Sequence, residues 1–259
     1  MGTLRDLYLE ERRERILEQV VGAGRVSVAG LSQQFGVSPV TIRADLQFLS
    51  DHDLVVRTHG GAVPANHRLY DISLAIRRQR QVAQKSQIGK AGAGMVSNGD
   101  AIFLDSSSTA LAIAQHLQTH RDLTIITNGL VIASEMLDVA GVMVVMPGGT
   151  LRRDTASLVG TGGLEMLKQF NIQKGFFGAH GINLPEGLTD VSLAEAEVKR
   201  PLVSMCRQVI AILDATKWGR VGLASFANPE EIDCAITDKH APAEMVERMH
   251  SAGVEVILV

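Results

Sequence analysis

The sequence predicts a two-part α/β protein, in which a small winged helix-turn-helix precedes a larger domain built on a mostly parallel sheet. Three observations carry this prediction. Two short amphipathic segments flank a tight turn near residue 36, a Gly-Gly turn separates two short apolar stretches near residue 60, and strands alternate with helices from residue 101 onward. With 259 residues, 46% of them hydrophobic, the chain is long enough for two cores.

The first elements are two helices with a short strand between them. Residues 12–21 carry apolar side chains on one helical face, and residues 25–28 are a strand candidate. The next helix, residues 29–35, has apolar side chains four positions apart, and Gly36 follows as the left-handed residue that ends it.

The second helix of the motif begins at Pro39. Ser38 precedes it as a cap, and proline at the first helical position loses no hydrogen bond. Ile42, Leu46 and Leu49 are spaced by four and three residues, so they share a buried face. The opposite face is small, polar and arginine-bearing, which suits the major groove of duplex DNA.

A wing is predicted in residues 54–63, as two short strands around Gly60 and Gly61. The residues predicted to contact DNA are Ser38, Pro39, Val40, Thr41, Arg43, Gln47, Arg57, His59, Gly60 and Gly61. A helical hairpin that packs against a second domain is the alternative interpretation of the same pattern.

The overall charge does not by itself predict DNA binding. The net charge is −3, and residues 1–60 hold seven Arg against eight Asp and Glu. Every cation before Lys85 is an arginine, the residue suited to bidentate contacts with phosphate and guanine. We therefore expect modest, salt-dependent binding by each copy, and a homodimer or homotetramer that brings several copies onto double-stranded DNA.

The predicted domains are residues 1–65 for DNA binding, residues 66–98 as a linker and connecting helix, and residues 99–259 as the α/β domain. A hydrophilic break begins at Pro64, and residues 71–95 are predicted to form one solvated helix. The alternative is that this helix faces DNA through Arg77, Arg78 and Arg80.

The α/β domain is predicted from short apolar segments rich in β-branched residues, which are typical of strands buried on both faces. The strand candidates are residues 101–104, 123–126, 142–146, 175–178, 209–213, 234–237 and 254–258. The helix candidates between them are residues 110–118, 131–137, 164–170, 193–206 and 243–251. Such alternation indicates parallel strands covered by helices.

Ligands of open α/β sheets bind at the carboxyl ends of the strands, so the residues after each strand are the candidate site. The first such segment, Asp105, Ser106, Ser107, Ser108 and Thr109, places four hydroxyl groups at a helix N-terminus, a typical phosphate site. A serine-capped helix without a ligand is the alternative interpretation.

Further polar residues, and two glycines that let the backbone approach a ligand, follow the other strands. They are Thr127, Asn128, Gly148, Gly149, Arg152, Asp214, Lys217 and Asp238. Carboxylates accept hydrogen bonds from hydroxyl groups and the cations bind an anion, so the set describes a small polyol that carries phosphate. Glu195 and Lys199 are four apart on one helix, where an ordinary helix ion pair is the alternative.

Several other classes of protein are not indicated. No strand is followed by G-x-G-x-x-G, no G-K-[ST] loop occurs, and no His or Cys spacing suggests a metal, so neither a cofactor nor a catalytic residue is assigned. Cys206 and Cys234 are the only cysteines, which fits a reducing cytoplasm. We expect no membrane span and, from the charged residues 1–15, no secretory signal.

Motifs along nearly the whole chain resemble the DeoR family of bacterial sugar-catabolism repressors. The second helix of the motif, the wing turn and residues 252–259 look most like regulators of amino-sugar use. The matching segments are residues 40–46, 57–62, 105–109, 127–128, 148–149, 151–152, 181–182, 187–189, 214–217 and 236–238. The resemblance implies a C-terminal sensor similar to ribose-5-phosphate isomerase, and release from an operator by a phosphorylated sugar. It also places Lys199 in the effector site.

Two departures from the family pattern are present. Ala44 stands where a second basic residue is common, and Ser107 stands where glycine is common. Two other functions remain open at this point. One is a sugar-phosphate isomerase with Glu195 or Asp105 as its base, and the other is a metabolite-binding module that acts through protein partners.

Overall fold

A computed structural model describes residues 9–51, 54–64 and 74–259. Its contacts divide the chain into two compact units, Met1–Ser73 and Leu74–Val259. The second unit begins well before residue 99, so residues 74–98, predicted as part of a linker and connecting helix, belong to the larger unit. Of the hydrophilic break predicted at residues 64–70, residues 65–70 lie outside the described residues.

The N-terminal unit combines three helices with a small antiparallel sheet. Its helices are α1 (Leu9–Ala23), α2 (Val28–Phe35) and α3 (Pro39–Asp51), and its strands are β1 (Val26–Ser27), β2 (Val55–Thr58) and β3 (Gly61–Pro64). Strand β3 lies between β1 and β2 and is antiparallel to both. The predicted winged helix-turn-helix is confirmed.

Local chemistry explains where these helices begin and end. The Ser27 hydroxyl accepts a hydrogen bond from Gly30 N at 3.0 Å and caps α2, and Gly36 ends that helix with a φ of 65°. Ile42, Leu46 and Leu49 are buried against α1 and α2 as their spacing predicts.

The predicted wing is confirmed, although its turn lies one residue earlier. His59 and Gly60 form the turn, whereas Gly61 is already in β3. A Cβ on Gly61 would lie 1.8 Å from the carbonyl oxygen of Val26, so this position requires glycine for strand pairing.

The C-terminal unit contains a seven-stranded sheet whose neighbouring strands are all parallel. Its strands are β4 (Ala101–Leu104), β5 (Leu123–Thr127), β6 (Val142–Val145), β9 (Ile172–Phe177), β12 (Cys206–Ile212), β14 (Cys234–Thr237) and β15 (Glu255–Leu258). Its helices are α4 (Leu74–Gln79), α5 (Val82–Gly94), α6 (Ser108–His116), α7 (Leu130–Met136), α8 (Leu193–Met205) and α9 (Ala243–Ser251). The predicted mostly parallel α/β domain is confirmed.

The strand order is β15-β14-β12-β9-β4-β5-β6, so the chain reverses its direction of winding between β4 and β9. The carboxyl ends of these two strands therefore flank the crevice in which open α/β sheets bind ligands. Phe176 and Phe177, adjacent on β9, belong to different hydrophobic clusters because successive strand residues face opposite sides of the sheet.

The predicted single helix over residues 71–95 is wrong for the described part of that range. It is two helices, α4 and α5, which are separated at Arg80 and Gln81, and Gln81 has a left-handed φ of 51°. Helix α5 is also not solvated on all sides, since Lys85 and Ile88 are buried where it packs against α6.

Sequence patterns missed the small sheets. One is a hairpin of β7 (Thr150–Arg152) and β8 (Ser157–Val159), and the other joins β10 (Gly181–Asn183), β11 (Gly187–Asp190) and β13 (Ala224–Ala227). Strands of three or four residues are too short to establish a hydrophobic period. The predicted helix at residues 164–170 is a 3-10 helix, Leu164–Gln169.

Candidate functional site

The N-terminal unit presents the start of α3 to solvent. Ser38, Pro39 and Val40 are exposed, and the Ser38 hydroxyl accepts a hydrogen bond from Thr41 N at 3.1 Å. The same hydroxyl lies 2.9 Å from Thr41 Oγ1. Arg43 is exposed one turn further along, so the predicted contact face is accessible.

Two of the other predicted contact residues pair with each other. Arg57 on β2 donates a hydrogen bond to Gln47 Oε1 on α3, while Gln47 Nε2 donates to Asp51 at 2.7 Å. His59 and Gly60 are exposed at the tip of the wing. Gly61 is buried against β1, so its role in the structure is strand pairing rather than surface contact.

A buried ion pair that sequence reasoning missed fixes α3 to α1. Asp45 is 1% exposed and accepts hydrogen bonds from Arg12 Nε at 2.7 Å and from Arg13 Nε at 3.0 Å. Arg13 also stacks over the ring of Phe48, with its guanidinium carbon 3.9 Å from the ring centroid. The orientation of α3 is therefore set by charge as well as by apolar packing.

In the C-terminal unit, the loops after β4, β5, β6, β9, β12 and β14 form what we call the polar edge. Asp105 follows β4 and is fully buried, and its two oxygens accept hydrogen bonds from Ser107 N at 3.1 Å and Gly178 N at 3.0 Å. Ser107 in turn caps α6 by accepting a hydrogen bond from Ala110 N. Asp105 thus joins the loops after β4 and β9.

The remaining hydroxyl residues of this loop lie close together at the start of α6. Ser106, Ser108 and Thr109 are each less than a tenth exposed. Ser107 therefore caps α6, as the alternative interpretation of this segment has it. The hydroxyl groups of Ser106, Ser108 and Thr109 lie beside the N-terminus of the same helix, a position suited to an anion.

Lys199 was predicted to lie in the effector site, but in the structure it bonds to other groups of the protein. Its Nζ lies 2.9 Å from Asp105 Oδ2, 2.9 Å from Asp190 Oδ2 and 2.9 Å from the Gly178 carbonyl oxygen. These three acceptors use all three protons of the ammonium group, so none is left for an effector. Burial lowers the pKa of Lys199, but Asp105 and Asp190 outweigh it, and the net shift is upward.

Thr127 and Asn128 are fully buried after β5. Thr127 Oγ1 accepts a hydrogen bond from Gly129 N, and Asn128 Nδ2 donates to the Leu158 carbonyl, so both side chains shape the loop. Gly148 and Gly149 are exposed, with φ of 77° and 119°, conformations that favour glycine.

Arg152 lies on β7 beside the start of α8. It donates a hydrogen bond to Ser192 Oγ, and its Nη1 lies 3.7 Å from Glu195 Oε1. Glu195 also accepts a hydrogen bond from Thr155 at 3.0 Å. The simple Glu195–Lys199 helix pair is wrong, because each residue has nearer partners on other elements.

Lys85 and Lys217 share an electrostatic environment with Asp214, which follows β12. Together with Arg77, Arg80 and Arg220, whose charges act on one or both of them, they form what we call the cation cluster. The pKa of Lys85 is lowered to about 8, chiefly by burial. The charge of Asp214 raises that pKa, whereas the charges of Lys217, Arg77 and Arg80 lower it. The pKa of Lys217 is lowered as well, chiefly by burial.

The effect of the cation cluster extends to His180, after β9, whose pKa is lowered first by burial and then by the charges of Lys217 and Arg220. Of the cluster, the sequence predicted only Lys217 as an effector residue. On α5, Lys85 stands among the polar residues Gln84, Ser86 and Gln87, a pattern typical of a solvated helix, so the sequence did not reveal that Lys85 is buried.

Asp238 links the ends of β12 and β14. Its Oδ2 accepts a hydrogen bond from Ala215 N at 2.7 Å, directly after Asp214.

In the described parts of the chain, no three His, Cys, Asp or Glu side chains come together as a metal site requires. Within those same parts, every helix is too short or too polar to cross a lipid bilayer.

Two family models match the chain. The DeoR-like helix-turn-helix domain matches residues 12–68, and the DeoR C terminal sensor domain matches residues 80–239. The chain is 33% identical to a putative aga operon transcriptional repressor of Escherichia coli O157:H7, over 100% of this chain and 97% of that protein. It is 30% identical to the glycerol-3-phosphate regulon repressor of Escherichia coli K12, over 96% and 98%.

The fold, the exposed recognition helix and these relatives define a DNA-binding transcriptional regulator, not an enzyme. The chain belongs to the DeoR family, as its motifs predicted. The isomerase alternative is therefore not supported.

Two solved structures show a distant similarity to this chain. Ribose 5-phosphate isomerase A of Methanocaldococcus jannaschii is 13% identical, with a TM-score of 0.39 over 52% of this chain and 53% of that one. The sorbitol operon regulator SorC of Klebsiella pneumoniae is 10% identical, with a TM-score of 0.36 over 79% and 89%. These likenesses concern the fold alone.

Proposed function

We propose that this protein represses a sugar-catabolic operon and leaves its operator when a phosphorylated sugar binds at the polar edge. The cation cluster is the observation that carries the effector assignment. Asp214 and Lys217 follow β12 at the carboxyl edge of a parallel sheet, and Lys85, which donates hydrogen bonds to two carbonyl oxygens at the end of α4, lies among the same charges. Such a site suits an anion that also carries hydroxyl groups.

The relatives support the same class of effector and the same direction of control. One is named as a glycerol-3-phosphate regulon repressor, and others are named as the putative aga operon repressor and the transcriptional repressor GlcR of Bacillus subtilis. A phosphorylated small polyol suits both the carboxylate Asp214 and the ammonium group of Lys217.

DNA contact is assigned to the exposed start of α3, with Thr41 and Arg43, and to the tip of the wing at His59 and Gly60. A homodimer or homotetramer would place two such helices in successive major grooves, about 34 Å apart. The reducing cytoplasm, where the thiols of Cys206 and Cys234 stay free, is the compartment that fits this work.

Binding to duplex fragments from the region beside its own gene tests the proposal. We expect fluorescence anisotropy to show binding at low ionic strength, with steep loss of affinity as salt rises. A panel of phosphorylated sugars, each matched with its unphosphorylated form, is then added to the complex. Release and thermal stabilisation by a phosphorylated compound alone support the proposal, whereas failure to bind any such duplex overturns it.

A further inference from the structure

One pair of side chains joins the wing to α3. Arg57 on β2 donates a hydrogen bond to Gln47 Oε1 on α3, although the two residues are ten positions apart. Side chains alternate along a strand, so Arg57 lies on the same face of β2 as the buried Val55, which packs in one cluster with the apolar face of α3. The place of Arg57 on the strand therefore directs it toward α3.

The side-chain amide of Gln47 bonds to the protein at both of its polar atoms. Its Oε1 accepts from Arg57, and its Nε2 donates to Asp51 Oδ1 at 2.7 Å, one helical turn further along. Glutamine recognises adenine through both of these atoms together, in a bidentate contact. Gln47 was predicted to contact DNA, but a base contact of this kind would first have to break two hydrogen bonds.

Arg57, in contrast, keeps most of its bonding capacity. Its side chain is exposed, and its bond to Gln47 uses one of the five N–H donors of a guanidinium. The partner is a neutral amide rather than a carboxylate, and Asp51 bonds to Gln47 instead. The positive charge of Arg57 is therefore left available, and an exposed guanidinium suits a backbone phosphate.

The backbone of the wing is held where it leaves α3 and at its tip. Leu54 N donates a hydrogen bond to the Leu49 carbonyl oxygen at 2.9 Å, and Val28 N donates to the Gly60 carbonyl oxygen at 2.8 Å. With the backbone held, the bond to Gln47 selects among the rotamers of the long Arg57 side chain. Ordering a side chain before binding reduces the entropy that the contact costs.

We propose that Gln47, held by Asp51, orients Arg57 for contact with a backbone phosphate of DNA, while the start of α3 reads the bases. Arg57 is then the contact residue, and Gln47 and Asp51 are positioning residues. This inference rests on the proposed function and adds how the wing and the recognition helix act as one unit.

Sequence dependence and salt dependence distinguish positioning from base reading. Full-length wild type, Arg57→Gln, Gln47→Ala and the double variant are titrated by anisotropy at about 50–200 mM salt. The probes are the duplex from beside the gene that the wild type binds most tightly and a scrambled duplex of the same composition. We expect Arg57→Gln to lower affinity for both duplexes about tenfold and to reduce the slope of log affinity against log salt by about one, since a phosphate contact is independent of sequence.

Gln47→Ala should change affinity and slope in the same direction for both duplexes, because Arg57 loses its orientation. Added to Arg57→Gln it should cost less than about twofold more, since the two residues act through one contact. Arg207→Gln and Gln87→Ala remove an exposed arginine and an exposed glutamine of the C-terminal unit and are the matched controls. Thermal unfolding without DNA verifies that every variant is folded.

Three results would overturn the positioning role. In Gln47→Ala, a loss confined to the tightly bound duplex with an unchanged slope assigns base reading to Gln47. Independent, additive losses in the double variant separate the two residues, and a lower Tm with unchanged affinity and slope leaves only a structural bond. Failure of the wild type to bind any duplex is a different result, because it overturns the proposed function as well.

Discussion

Arg12 donates a hydrogen bond from Nε to Oδ2 of Asp45 over 2.7 Å, and this contact joins the first helix to the recognition helix across 33 positions of sequence. The carboxylate is almost completely buried, and Arg13 supplies its second donor. The helix proposed to present Thr41 and Arg43 to DNA is thereby held in one orientation.

We expect Asp45→Asn to destabilise the N-terminal unit by about 3 kcal/mol, because removing one charge of a buried pair leaves the others uncompensated. Amide hydrogen exchange of α1 and α3 in the full-length protein measures the loss, and DNA affinity should fall with it. Asp51→Asn, on the exposed end of the same helix, is the control and should leave exchange in α1 unchanged. Equal protection in both variants would show that the ion pair does not stabilise the unit.

Arg43→Ala should lower affinity for duplex DNA by about tenfold or more, since each good side-chain contact with a base contributes about 1–3 kcal/mol. If Arg43 contacts a phosphate instead, the slope of log affinity against log salt should decrease by about one. Arg207→Ala removes an exposed arginine of the C-terminal unit and serves as the control. Thermal stabilisation by a phosphorylated sugar should persist in Arg43→Ala, and its loss would contradict two separable units.

Local sequence patterns were sufficient for the elements with a clear period. The spacing of Ile42, Leu46 and Leu49 predicted the buried face of α3, and Ser38 and Gly36 predicted its cap and the preceding helix end. The Arg12–Asp45 pair was not predictable, because nothing local distinguishes a buried acid on a helix from a solvated one.

The strand ends were predicted well enough to place Asp105, Asp214 and Lys217 at the polar edge, whereas their role in binding an effector stays a prediction. The family resemblance placed Lys199 in the effector site, and sequence cannot show that three protein acceptors already use its protons. Arg77 was missed as a neighbour of Lys85 and Lys217 because α4 approaches these residues only through tertiary packing.

Lys217→Ala should weaken binding of a phosphorylated sugar about tenfold, since a charge-assisted hydrogen bond is lost, while binding to DNA without ligand persists. Lys239→Ala, an exposed lysine after β14, is the matched control. The comparison is made by calorimetry for the ligand and by anisotropy for DNA. An unchanged sugar-phosphate affinity would remove Lys217 from the site.

Anion affinity should fall as pH rises through about 8, because Lys85 then loses its charge among Asp214, Lys217, Arg77 and Arg80. Sulfate is a suitable probe, since it keeps its charge over this range. Whereas anion affinity falls with rising pH, the contribution of Lys85 to the free energy of unfolding should rise. Its pKa is about 8 in the folded protein and 10.5 as a free side chain, so the unfolded chain holds more protons and stability rises between those values. Sulfate affinity that is level from pH 7 to pH 9 would contradict this assignment.

Lys199→Met should destabilise the C-terminal unit by about 3 kcal/mol or more at neutral pH, because Asp105 and Asp190 would then face each other without their shared cation. Urea unfolding of the full-length protein, followed by fluorescence of the single tryptophan, Trp218, measures the change. Lys168→Met, which removes an exposed lysine paired with Glu165, is the control and should cost little.

Comparing the wild type with Lys199→Met at acid pH tests whether the loss of stability has an electrostatic cause. Burial raises the pKa of Asp190, but the charge of Lys199 outweighs burial and holds that pKa below its ordinary value. The stabilisation that the Asp190–Lys199 pair gives the wild type is therefore present at neutral pH and is lost as pH falls through the pKa of Asp190 in the folded protein. In Lys199→Met, protonation of Asp190 removes one of two like charges, so the difference from wild type should shrink on acidification. A difference that stays constant from neutral to acid pH would assign the loss to packing rather than to charge.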